Sequence, residues 1–226
     1  MKICGISDMH GQYDFKVEPC DIVLICGDIV PLEIQVLDSK SEEWFKTFFI
    51  PWCTNLPCEK VVFIAGNHDF VLKYHPDRIR ELLKGQDKVI YLECETYEYK
   101  GKVIYGTPIC KRFGSWAFME GQEEQRKRYE RHLEAIDKID IIMSHDCPYG
   151  ISDVLLQKDC LWADGTHIGN KALRWFVDEA KPELLLEGHL HSCEHGKVMH
   201  GNTAVYNVSM LNENYEMVYK PLYVEI

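Results

Sequence analysis

The chain is punctuated by apolar runs of strand length, and nearly every one of them stops at a polar cluster. Lys2 to Ile6, Ile22 to Cys26, Val61 to Ala65, Val103 to Tyr105, Ile139 to Met143 and Leu184 to Leu186 contain at most five consecutive apolar residues. A membrane helix needs roughly 20, so no transmembrane segment is expected. Ile22 to Cys26 and Val61 to Ala65 are apolar throughout rather than alternating, which fits strands covered on both faces. Between them lie helical signals. Ser39-Lys40-Ser41-Glu42 has capping-box spacing ahead of Trp44, Phe45, Phe48 and Phe49. A second helix is predicted from Pro76 to Lys84, closed by Gly85. From Glu123 onward, Glu123/Lys127 and Glu124/Arg128 pair at i,i+4 while Tyr129, Leu133 and Ile136 fall on the other face. Leu173, Phe176, Val177 and Ala180 repeat the helical spacing until Pro182 stops it.

Strands alternating with helices predict an α/β layered fold, a sheet sandwich flanked by helices. The more alternating segments Thr203 to Val208 and Val218 to Glu225 predict antiparallel-type strands at the end. No internal repeat or linker-like tract divides residues 1–226, so one domain is expected. No feature fixes an oligomeric state.

Composition narrows the partners. Asp and Glu number 36 against 25 Lys and Arg, a net charge of −11 that disfavours nucleic-acid tracts and anionic lipid. The opening Met1-Lys2-Ile3-Cys4-Gly5-Ile6-Ser7-Asp8 meets a carboxylate before a signal-peptide apolar region is built. A cytoplasmic protein is expected, with its ten cysteines reduced thiols rather than a disulfide framework.

The chemistry follows the strands. Asp8 and His10 come after the first run, Asp28 after the second, and Asn67, His68 and Asp69 after the third. His145 follows Ile139 to Met143, and His189 and His191 follow Leu184 to Leu186. Ligands in α/β sheets collect beyond the carboxyl ends of strands, so Asp8, His10, Asp28, Asn67, His145, His189 and His191 should share one rim. Two carboxylates, one amide and four imidazoles suit first-row divalent ions such as Mn, Fe or Zn. Two ions are needed to use all seven. If Asp28 bridges them, each has four protein ligands and open positions for a water and a substrate oxygen, the dinuclear arrangement of phosphoryl displacement. Gly27, Gly66 and Gly188 each precede one of these residues, where the backbone must turn sharply or approach closely.

Asp8-Met9-His10, Gly27-Asp28, Gly66-Asn67-His68-Asp69, Ser144-His145 and Gly188-His189-Leu190-His191 resemble, in order, the five motifs of the calcineurin-like metallophosphoesterases. The resemblance implies a four-layer α/β/β/α sandwich of two mixed sheets. It implies that Asp8, His10, Asp28 and His191 hold one metal and Asp28, Asn67, His145 and His189 the other, with His68 as the acid near the leaving oxygen. Gly106-Thr107-Pro108 followed by Trp116-Ala117-Phe118, His167-Ile168-Gly169, Asn207-Val208-Ser209 and Asn214-Tyr215 look like the small metallophosphoesterase-domain proteins related to class III cyclic nucleotide phosphodiesterases. Ser144-His145-Asp146-Cys147-Pro148 departs from that group's usual His-Gly-Pro-Pro run. Asp28-Ile29-Val30-Pro31-Leu32 lacks the Asp-Arg-Gly of Ser/Thr protein phosphatases, which lowers that alternative.

The expected activity is hydrolysis of a small phosphomonoester or phosphodiester, a nucleotide or cyclic nucleotide first, by hydroxide bridging the two ions, with Asp28 and His68 central to the chemistry. A non-catalytic metal-bearing interaction module is the other class of reading. Arg112, with Lys111, and His167 are candidates for holding substrate, although solvated-loop and capping roles fit them too. Asp69 either orients His68 or turns its loop. Trp116 and Phe118 either stack on a base or pack in the core.

Overall fold

The computed structural model describes residues 1–154 and 166–226. In chain order its strands are β1 (Lys2–Ile6), β2 (Ile22–Cys26), β3 (Lys60–Ile64), β4 (Val89–Tyr91), β5 (Glu95–Tyr99), β6 (Lys102–Thr107), β7 (Cys110–Lys111) and β8 (Met119–Glu120). They continue with β9 (Ile141–Ser144), β10 (Leu184–Glu187), β11 (Val198–His200), β12 (Thr203–Asn207) and β13 (Leu222–Glu225). The α-helices are α1 (Asp38–Trp44), α2 (Ile50–Asn55), α3 (Phe70–Tyr74), α4 (Pro76–Leu82), α5 (Gln122–Ala135) and α6 (Lys171–Ala180).

Two mixed sheets face each other. The first has the order β13-β1-β2-β3-β4 and the second β11-β12-β10-β9-β6-β5. β1 to β4 run parallel with β13 antiparallel at the edge, and β6, β9, β10 and β12 run parallel between antiparallel β5 and β11.

The uniform apolar runs are explained by a core on each side of each strand. In β2, Ile22, Leu24 and Cys26 enter the layer between the sheets while Val23 and Ile25 enter the layer under α1 to α4. In β10, Leu184 and Leu186 face the other sheet and Leu185 faces α5 and α6, alongside Tyr129, Leu173, Phe176 and Val177. The order is helices, sheet, sheet, helices. Each fully buried Leu or Ile contributes roughly 1.5 to 3 kcal/mol of transfer free energy, so neither face of these strands tolerates a polar side chain.

Four local expectations change. The helix α1 starts at Asp38 with Leu37 as its cap, because the turn Ile34 to Leu37 runs straight into it. Ser39 therefore lies inside the first turn and no capping box forms. The helical stretch continues through a π-helical turn, Phe45–Phe49, next to Pro51, which has no amide for a regular ladder. On α5, Glu123 pairs with Lys127 at 2.9 Å, but Arg128 binds Glu120 before the helix rather than Glu124. β12 runs parallel to β10, because its chain returns through the edge strand β11. β13 is antiparallel to β1. α4 ends at Leu82, short of the expected Lys84, and Gly85, with φ +81, makes a left-handed turn beyond the cap rather than at it.

Candidate metal centre

The loops after the parallel strands are short and tied to one another. The Asp8 amide donates to Gly27 O at 3.0 Å and the His10 amide to Asp28 O at 2.9 Å. The His189 amide donates to both Asp8 carboxylate oxygens at 3.1 and 3.0 Å, joining the end of β10 to the end of β1. Asp8, His10, Asp28 and His189 all have positive φ, between 43° and 68°. That conformation costs a side-chain-bearing residue energy, and its repetition here marks a rim held in place by its surroundings.

Two glycines make this convergence possible. A Cβ on Gly66 would stand 2.1 Å from Asp28 Oδ1, and one on Gly188 would stand 2.4 Å from Asp8 Oδ2. Neither φ is in the left-handed region, so close approach is the reason for glycine at both.

All seven candidate ligands meet at this rim. Oxygen or ring-nitrogen atoms of Asp8, His10 and His191 lie within 4.8 Å of one another, as do those of Asp8, Asp28 and His145. Asp28 Oδ2 is 3.5 Å from His10 Nε2 and 3.3 Å from His145 Nε2. Asn67 Oδ1 is 3.0 Å from His145 Nε2, and the His145 and His189 rings are 5.2 Å apart. Ligand rings are fixed from behind: His145 Nδ1 meets Cys26 O at 2.8 Å, and His191 Nδ1 meets Asn212 O at 3.0 Å. Ser209, in the Asn207-Val208-Ser209 stretch, donates its hydroxyl to Asp8 Oδ2 at 2.7 Å.

Divalent cations fit this set. His10 is 5% exposed, yet both of its ring nitrogens lack a hydrogen-bond partner among the described residues. Two carboxylates are buried side by side among neutral and cationic imidazoles, an arrangement that positive ions would relieve.

The electrostatics without ions are polarised. Burial opposes ionisation of Asp28, but the charges of His145 and His68 prevail and hold its carboxyl well below the usual range. Asp8 is likewise held low against its burial by His191. Burial disfavours the cationic form of His145, but Asp28 raises it to about 10; Asp8 does the same for His191, to about 9. His10 and His189 are pushed down to about 4, by burial in both cases.

His68 stands over this floor. Its amide donates to Asp28 Oδ1 at 2.8 Å, and its Nε2 is 3.9 Å from Asp28 Oδ2. On its other side Nδ1 meets Gln35 Oε1 at 2.5 Å. An amide oxygen can only accept, so Nδ1 carries the hydrogen in this contact and Nε2 faces the centre. Asp69 does not touch His68. Its carboxylate accepts from the amides of Gly66, Ile29 and Val30 at 2.7 to 3.3 Å, tying the loop after β3 to the loop after β2. Burial, then Asp28, raises its carboxyl to about 7.

A cavity of about 570 Å³ opens over Asp28, Asn67, His68, His189 and His191. Its walls are Lys111, Phe113, Trp116, Asp146, Ile168, Leu190, Glu213 and Tyr215. The two aromatics of the Trp-Ala-Phe stretch divide: Trp116 lies against the His68 ring at 4.4 Å and borders the cavity, whereas Phe118 is fully buried in the core. Arg112 and His167 do not border the cavity; their neighbours Lys111 and Ile168 do. Arg112 is exposed, with its guanidinium at Met119 O, and His167 Nδ1 is held by Asp153 at 2.6 Å. Of the substrate-holding candidates named from the sequence, Lys111 borders the cavity and Arg112 and His167 do not. Gln35 and Phe113 carried no sequence signal. Tyr215, which packs on His10 and His191 at 5.0 and 5.5 Å, was visible only through the Asn214-Tyr215 likeness.

This chain belongs to the calcineurin-like phosphoesterase family, whose pattern matches residues 1–193. It is accordingly a phosphoric ester hydrolase of a metal-dependent family. It is 23% identical over 246 residues to human metallophosphoesterase domain-containing protein 1, covering 98% of this chain and 69% of that one. It is 28% identical to UPF0046 protein T07D4.2 of Caenorhabditis elegans, covering 98% of this chain and 59% of that one. Among solved structures, TT1561 of Thermus thermophilus matches with a TM-score of 0.62 at 14% identity, over 91% of this chain and 87% of that one. The phosphopantetheinyl hydrolase of Mycobacterium tuberculosis matches with a TM-score of 0.53 at 11% identity, over 95% and 90%. Both structural likenesses concern the fold. No helix among the described residues is long and apolar enough to cross a membrane.

Proposed function

We propose that this chain hydrolyses a small phosphoester, a nucleotide or cyclic nucleotide, at two divalent transition-metal ions (Mn, Fe or Zn). Asp8, His10, Asp28 and His191 would hold one, and Asp28, Asn67, His145 and His189 the other. The observation that carries this reading is Asp28 Oδ2, buried 3.5 Å from His10 Nε2 and 3.3 Å from His145 Nε2, where one carboxylate can serve both groups. When bound, the ions supply an activated water and positive charge against the phosphoryl oxygens.

The chain's own residues do the rest. His68, oriented through Nδ1 by Gln35, presents Nε2 to give a proton to the leaving oxygen. Lys111 brings positive charge to the wall, within reach of a phosphate. Trp116, Phe113 and Tyr215 offer flat faces suited to a base. A cavity of about 570 Å³ suits a nucleotide-sized ligand. Asp146 and Glu213 on the walls and the net charge of −11 work against a nucleic-acid tract. The chain would act as a single catalytic domain in the cytoplasm, where its thiols stay reduced.

Hydrolysis of bis-p-nitrophenyl phosphate and p-nitrophenyl phosphate by metal-stripped protein resupplied with Mn²⁺ tests the reading, with Asp28→Asn beside it. Activity that needs metal and vanishes in the variant supports it, and the ratio of rates begins to separate diesterase from monoesterase. Silence towards both esters and towards nucleotides, with two ions bound, favours the non-catalytic module.

A further inference from the structure

A buried thiol stands beside the candidate centre, and nothing above uses it. Cys110 on β7 is fully buried, and its sulfur lies within 4.8 Å of ring nitrogens of both His145 and His189. Its backbone is clamped: the amide donates to Phe118 O at 3.0 Å, and the carbonyl accepts from the buried Gln125 side chain at 2.9 Å. The side chain therefore sits on a fixed element rather than a loose loop.

Cys4, Cys26 and Cys53 each belong to an apolar core cluster and behave as small hydrophobes, whereas the buried Cys110, Cys147 and Cys193 belong to none of the three. Cys147 donates its thiol to Gly188 O at 3.2 Å, and of these three thiols only Cys110 lies grouped with ring nitrogens among the described residues. Its polar contact within the chain is a weak one, to Pro108 O at 3.7 Å. A buried sulfur next to two imidazoles, on the side of the centre that Asp28 and Asn67 share, has the surroundings of a metal ligand rather than of a packing residue.

We infer that Cys110 is a sulfur donor to the ion grouped with Asn67, His145 and His189. The inference rests on the dinuclear reading above. On coordination the thiol proton leaves to solvent and a sulfur–metal bond takes its place. A soft donor at one site only makes the two sites unequal: the one near Cys110 favours zinc, cobalt or ferrous iron, and the one at Asp8, His10 and His191 keeps the harder donor set.

Cobalt is the probe. Metal-stripped full-length protein is loaded with Co²⁺, bound cobalt is counted by elemental analysis, and the near-ultraviolet spectrum is read for thiolate-to-cobalt charge transfer. The expected result is a charge-transfer band in the unaltered chain that is lost in Cys110→Ser and in Cys110→Ala but kept in Cys20→Ser, a remote and partly exposed thiol. Either Cys110 variant that melts like the parent suffices, and the band in the unaltered chain needs no variant. Bound cobalt without the band, or a band that survives loss of Cys110, overturns the sulfur donor alone. Absence of bound cobalt overturns both this inference and the dinuclear reading.

Discussion

The floor and the walls of the cavity are built by different means. The floor consists of Asp8, His10, Asp28, Asn67, His145, His189 and His191, each within three residues of a strand end or in the same short loop, and all but His189 are buried. Its backbone strain, glycine contacts and interlocking hydrogen bonds leave its atoms little freedom. Most of the walls come from longer connections, Lys111 to Trp116, Ile168, and Glu213 to Tyr215, with Asp146 and Leu190 added by the strand-end loops, and they carry exposed apolar side chains such as Phe113 at 55% and Trp116 at 38%. Chemistry is thus fixed by strand ends, while substrate choice is left to loops that can change without disturbing it.

The largest expected effect falls on the floor. Asp28→Asn should lower the rate on bis-p-nitrophenyl phosphate by about 10³-fold or more, with at least one ion lost by elemental analysis, since its Oδ2 lies 3.5 Å from His10 Nε2 and 3.3 Å from His145 Nε2. A near-normal rate would erase the distinction between floor and walls. Gly66→Ala forces a methyl group to 2.1 Å from Asp28 Oδ1 and 2.4 Å from its backbone amide. A loss of about 1 to 3 kcal/mol in denaturant unfolding is expected, together with weakened metal retention.

His68 belongs to both regions, and it sharpens the comparison. His68→Ala should slow an alkyl phosphoester by about 10²-fold or more and a nitrophenyl ester far less, because a good leaving group needs no proton. Equal losses would assign His68 to positioning alone. Phe113→Ala should raise KM for a nucleotide by about fivefold, consistent with roughly 1 kcal/mol of stacking, and leave the rate on p-nitrophenyl phosphate almost unchanged.

The last expected effect concerns pH in the metal-free protein. His145 and His191 are raised above their ordinary value by Asp28 and Asp8, so the stability they contribute is present below about pH 6.5 and is lost as pH rises towards about 10 and about 9. His10 and His189 are lowered, so they titrate below this window, while Asp69, raised to about 7 by its burial, is half ionised at the window's lower edge and adds a loss of the same sign there. Melting temperature of metal-free protein should therefore fall between pH 7 and 9. The fall should be smaller with metal bound, because ligation keeps those imidazoles neutral at both pH values.

The floor was legible in the sequence because its logic is local. An apolar run, a glycine and a polar residue within three positions are visible without any tertiary contact, and the uniform apolar runs already implied strands covered on both faces. The walls were legible only in part: Lys111 and Trp116 stood out by charge and aromaticity, and the rest did not. Gln35 reaches His68 from 33 residues away, Tyr215 reaches His10 from 205, and no pattern in the chain encodes either contact. Arg112 and His167 were chosen by charge and chemistry, but Arg112 turns to Met119 O and His167 to Asp153, and neither borders the cavity. Asp69 shows the same gap: its neighbour is the candidate acid, yet its carboxylate ties down the backbone of Ile29 and Val30. Ser39 failed as a cap because the preceding turn, not the helix's own sequence, set where α1 begins.

The central claim is that one buried carboxylate, Asp28, joins two ion sites into a single hydrolytic floor. Its most direct test is the rate of bis-p-nitrophenyl phosphate hydrolysis as Mn²⁺ is titrated into metal-stripped protein of known concentration. The account predicts no activity without metal and a rate that climbs to saturation at two equivalents per chain. Saturation at one equivalent, or full occupancy at two without hydrolysis, would contradict it.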